Sequence, residues 1–153
     1  MAVRSVIIAM VSLALAGLAT GCATSPSRAN MANSADRLEE NADLLARDAA
    51  APATSSDYAT AFARDTHQLA IDAHELRRTV EDRDASGAAV QAAFDRVSRS
   101  FHAVRDEVNH TDAMAAQRDF RPVADAYHDL RTDMGAAPDR EARADYPPPP
   151  IER

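Results

Sequence analysis

Val90, Phe94, Val97, Phe101, Val104 and Val108 alternate four and three residues apart, a spacing that keeps one apolar stripe on an α-helix. Shorter stripes of the same period run through Leu38, Ala42, Leu45 and Ala49, through Tyr58, Phe62, Leu69, Ala73, Leu76 and Val80, and through Phe120, Val123, Tyr127, Leu130 and Met134. Pro52 with Thr54 to Ser56, and the stretch Asp84 to Gly87, punctuate them. Ser34 suits the cap of the first helix and Asp36 its first turn, which places that helix at 34–50 and the second up to about Arg83. The start of the fourth is open. Either Asp119 caps a helix with Pro122 in its first turn, or a longer helix begun near Asp112 is kinked by Pro122. Gly135 and Pro138 stop it. The pattern predicts an all-α protein, an antiparallel up-down four-helix bundle over residues 34–135. Its expected core is Leu69, Leu76, Val97, Phe101, Val104, Val108, Phe120, Val123, Tyr127 and Leu130. Such coiled-coil-like seams can close within one chain or between two.

Three of the helices carry near-copies of one phrase: AHELRRTV from Ala73, FHAVRDEV from Phe101 and YHDLRTDM from Tyr127. Each gives a small or aromatic residue, His, any residue, an aliphatic, Arg, any two residues, then Val or Met. His74, His102 and His128 lie about 100° round from the preceding core position, and Arg77, Arg105 and Arg131 fall on the same flank. The phrase therefore reads as apolar residues pointing inward with polar ones bordering solvent. With each copy in the C-terminal half of its helix, His102 is expected tens of ångströms from His74 and His128, about 1.5 Å per residue along the axis, too far to share a metal ion. The remaining metal candidates are the pairs His74 with His128 and His67 with His74, which lack an obvious inward carboxylate.

The N-terminus has a different character. Arg4 precedes a largely apolar run from Val6 to Leu18, the length of a signal-peptide core and short for a membrane span. It ends in Leu18-Ala19-Thr20-Gly21-Cys22, with Cys22 the single cysteine of the chain. This stretch resembles the lipobox of bacterial lipoproteins, although Ala19 stands where that family usually carries Leu, Val or Ile. The resemblance implies cleavage before Cys22, covalent lipid on its thiol and amine, and a membrane anchor of two or three acyl chains. Ala23, in place of the Asp that retains such proteins at the inner membrane, implies the outer membrane. The expected order is a signal peptide over 1–21, a lipidated tether over 22–33, the bundle, and a disordered Pro-rich tail over 136–153.

Composition narrows the activity. Roughly 130 residues remain after cleavage, enough for one core. Aromatics are 5% of the chain and Trp is absent, which favours close-packed helices over a sandwich. All 17 cationic side chains are Arg against 24 Asp and Glu, and losing Arg4 leaves an acidic surface ill-suited to nucleic acid. The chain has no Gly-rich phosphate loop, His-Glu-x-x-His or Cys-x-x-Cys-His. Ser98, Ser100 and His102 on one helix do not build a triad. Paired acids such as Glu39-Glu40 read as solvated faces. The expectation is a non-enzymatic envelope lipoprotein without a cofactor beyond its lipid, meeting another envelope protein. The competing expectation is a metal- or haem-binding bundle, with Met134, Met31 and Met114 the candidate inward ligands.

Overall fold

The computed structural model describes residues 27–50, 57–110 and 114–135. They form α1 (Arg28–Ala50), α2 (Asp57–Glu81), α3 (Gly87–Asn109) and α4 (Met114–Asp133), and among them no helix is long and apolar enough to cross a membrane. The expected signal peptide, Cys22 and the expected tail beyond Gly135 lie outside the described residues.

Local chemistry sets the helix ends. Ser86 caps α3 with its Oγ accepting from the Ala89 N–H at 3.1 Å. Gly135 closes α4 at φ 72°, its N–H donating to the Thr132 carbonyl at 2.9 Å, a left-handed conformation that glycine adopts without steric cost. The longer alternative holds for α4: Pro122 lies inside the helix. It cannot donate to the Arg118 carbonyl, but both residues are exposed, so solvent can serve that group. The Pro122 carbonyl itself accepts from Asn41 Nδ2 at 3.3 Å.

The start of α1 corrects the sequence expectation. The helix begins at Arg28, so part of the stretch assigned to the tether is bundle, and Ser34 is not a cap. Ser34 is buried within the helix and donates its Oγ to Asp133 Oδ2 on α4 at 2.6 Å. Residues 28–33 contain no Gly or Pro to stop the helix, and Met31 and Ala32 pack against the core. Arg28 secures this first turn. Its guanidinium donates to the carbonyls of Val80 (2.9 Å), Asp82 and Arg83 (3.4 Å), at the end of α2 where carbonyls lack helical donors.

Cross-helix contacts give the topology. Glu39 meets His74 between α1 and α2, Tyr58 donates to the Glu107 carbonyl and Arg96 to Glu75 between α2 and α3, and Arg37 pairs with Asp129 between α1 and α4. The contacts nearest the ends, Tyr58 with Glu107 and Ser34 with Asp133, join the start of one helix to the end of its neighbour. The result is the antiparallel up-down bundle, with neighbours α1–α2, α2–α3, α3–α4 and α4–α1. All ten expected core side chains are at most 1% exposed.

The four seams are not equal. α1 and α2 approach most closely along their length, and α3 and α4 least. Side-chain size accounts for this. Ala42, Ala46, Ala70 and Ala73 occupy the α1–α2 contact, buried or packed against the core, where methyl groups let backbones draw near. Between α3 and α4 stand Phe94, Phe101, Phe120 and Tyr127. Their rings stack, with Phe101 to Tyr127 at 3.9 Å, Phe101 to Phe120 at 5.3 Å and Phe94 to Tyr127 at 5.9 Å.

Candidate functional site

The repeated His and Arg residues sit on two seams. On the narrow one, Glu39 of α1 receives the His74 ring nitrogen Nδ1 at 2.8 Å and the Arg77 Nε. Arg77 also holds Glu81 one turn on, through Nη1 at 2.8 Å. Glu39 is therefore not the solvated acid expected from the sequence: its side chain is only 17% exposed, and it is a carboxylate partner for His74. The signal was its position. Glu39 follows core Leu38 by one residue, which places it on the flank, as His74 and Arg77 are on the flank of α2. Matching acid to base across flanks is what sets neighbouring helices together.

Burial works to raise the Glu39 pKa, but the hydrogen bonds and charges of His74 and Arg77 outweigh it and hold the carboxyl below its ordinary 4.5. The bond to Glu39, followed by that to Glu81, raises Arg77. A carboxyl depressed by folding contributes stability above its unfolded pKa, and that contribution is lost as pH falls through the folded value. Urea midpoints should thus decline from about pH 5 downward in part through this residue. In Glu39→Gln the acid limb should be shallower and the neutral-pH midpoint lower. An unaltered acid limb would show that the cluster carries no folding-linked proton.

On the wide seam, His102 and His128 stand roughly perpendicular to one stacked pair. His102 lies 5.6 Å from Phe101 and 6.2 Å from Tyr127, and His128 lies 6.3 Å and 5.8 Å from the same rings. The expectation that His102 lies tens of ångströms from His128 is wrong. Both copies do fall in the C-terminal halves of their helices, but His102 stands seven residues before the end of α3 and His128 fourteen after the start of α4, so across the antiparallel pair they differ in height by only about seven residues, about 10 Å. His102 is half-buried, as a residue on the flank of the stripe is. Ser98 and the Tyr127 hydroxyl bond at 2.6 Å in this seam, and Ser100 turns back to the Val97 carbonyl at 3.1 Å. Arg105 lies mostly inside, 17% exposed, with Nη2 3.5 Å from Asp106. Its Nε and Nη1 are buried without a hydrogen-bond acceptor, a local cost that the surrounding packing must offset.

The metal candidates separate. His74 belongs to the α1–α2 seam and His128 to the α3–α4 seam, with α2 and α4 on opposite corners of the bundle. His67 and His74 do share a shallow groove of about 580 Å³ along α1 and α2, with Ala46 and Ala70 in its floor and Ile71 on its rim. Seven residues separate them, about 10.5 Å along the axis. Among the described residues no three His, Cys, Asp or Glu side chains gather as a metal would require. Met31 and Met134 pack against the core as partly buried side chains. No family model, curated protein or solved structure matches the chain. What the geometry offers is two polar seams that lock helix pairs, and an outer groove of small apolar and charged residues.

Proposed function

We propose that the chain is a lipid-anchored protein of the bacterial cell envelope, its helical bundle a non-catalytic interaction or structural module. The observation that carries this reading is Leu18-Ala19-Thr20-Gly21-Cys22, placed directly after an apolar signal-like run and holding the single cysteine of the sequence. Acyl chains on Cys22 fix the chain to a membrane, Ala23 directs it to the outer membrane, and the bundle faces the periplasm, where another envelope protein is its partner. The bundle has a fitting build. Its conspicuous polar residues are engaged with one another across the seams, as in the Glu39, His74 and Arg77 cluster, and the outer faces are left for contact.

Replacing Cys22 with Ser tests the anchor. The variant should lose lipid and either move to the soluble fraction or remain as uncut precursor. Membrane fractionation together with the mass of the N-terminal peptide reads both results. A Ser variant that fractionates and migrates like the parent would end the lipoprotein reading.

A further inference from the structure

We infer that the anchored bundle stands on the lipid surface by the end that carries the turn between α2 and α3, its helices pointing away from the membrane. This rests on the lipid anchor proposed above and adds which part of the protein meets the headgroups. α1 begins at Arg28, and Arg28 follows Cys22 by only six residues. That length of chain spans at most roughly 20 Å, at about 3.3–3.6 Å per residue. α2, with 25 residues, is about 37 Å long. The tether is shorter than the bundle, so the place where it joins decides what lies near the lipid.

It joins at one end. The Arg28 guanidinium donates to the carbonyls of Val80, Asp82, Arg83 and, at 3.5 Å, Ala85. The turn between α2 and α3 therefore lies within one side chain's reach of the residue that the tether leads into. The bond from Ser34 to Asp133 brings the end of α4 to the same side, while Tyr58 and Glu107 meet near the opposite end.

Charge and surface chemistry decide between standing and lying. A helical surface lies on lipid through apolar area and through cations that meet anionic headgroups. Leu44 and Ile71 are the exposed large hydrophobics of the described residues, on two different helices, and they form no shared patch. Along the outer side of α1, the helix nearest the anchor, run Asp36, Glu40, Asp43 and Arg47, three acids to one cation. The whole chain carries 24 acids against 17 Arg. Lying down would press a long acidic flank against the headgroups, with no apolar area to offset the repulsion. Standing keeps that contact to one end, which the tether holds in place. No part of the bundle then rises more than roughly 60 Å above the bilayer, which limits its envelope partner to proteins that come that close.

The test uses the mature chain isolated from membranes and returned to phosphatidylethanolamine and phosphatidylglycerol vesicles. A donor dye is placed at Asp84→Cys, in the turn, or at Asn109→Cys, at the far end, both exposed. Cys22, with its thiol acylated, takes no label. Energy transfer to a short-range acceptor on the lipid headgroups should be at least about threefold stronger from the Asp84 site than from the Asn109 site, which stands about 33 Å higher. An insert of about twenty Gly and Ser residues before Arg28, adding an r.m.s. span of about 25 Å, should reduce that difference. The mass of the chain is read first. A chain without lipid ends the anchor reading and this inference with it. A lipidated chain that transfers equally from both sites, or more strongly from Asn109, ends this inference alone, as does an insert that leaves the difference unchanged.

Discussion

Replacing Phe101 with Ala should destabilise the bundle by about 3–5 kcal/mol, a large share of the roughly 5–15 kcal/mol available to a domain of this size. The ring is 1% exposed and is the hub of the wide seam, stacked on Tyr127 and Phe120 and met roughly at right angles by His102 and His128. Its loss leaves a cavity between the two neighbouring helices held farthest apart, where the backbones must move most to refill it. A fall of roughly 10 °C or more in melting temperature is expected. His102→Ala is the informative neighbour. As a solvated flank residue it would cost almost nothing, but its contacts with two rings place the expected loss at about 1 kcal/mol. Urea melts of the two variants read both numbers. Equal losses would mean that the stack does not organise this seam.

Ala73→Leu should be nearly as disruptive for the opposite reason. Ala73 is fully buried where α1 and α2 run closest, level with Ala42, also fully buried. A side chain with three more carbons has no room unless the helices part, and overpacking of this kind costs about 1–3 kcal/mol. Parting them also draws Glu39 away from His74 and Arg77, so the loss should exceed that of Leu introduced at exposed Ala92 on α3. Thermal melts of the two leucine variants make the comparison. Equal stability would show that the alanines do not set the spacing.

Apolar spacing was enough to read the four helices and the buried set, because a residue such as Val104 or Leu130 has one role and its period declares it. Positions with two possible roles were harder. Ser34 has the chemistry of a cap, yet caps nothing, because whether a helix extends past it depends on what Met31 and Arg28 find on other helices. Glu39 beside Glu40 looks like paired surface charge, and only the register of α1 against α2 turns one of the two inward. The repeated histidines were placed on the flanks correctly in angle and wrongly in height. Angle is a local property of one helix, while the height difference between His102 and His128 depends on how far each stands from the turn between α3 and α4, and α4 begins at a residue that periodicity leaves open. Cys22 is a separate case, since its reading rests on a short motif and on nothing that folds.

The grip of Arg28 on the last carbonyls of α2 changes how the bundle would bear a load. A helix pulled from its free end peels open one backbone hydrogen bond at a time, each yielding alone. Here traction arriving through residue 27 passes at once, by way of the Arg28 guanidinium, into the corner between α2 and α3. The first turn of α1 must therefore shear against the end of α2 instead of unzipping, and a pull at residue 27 is shared by both helices before either unwinds.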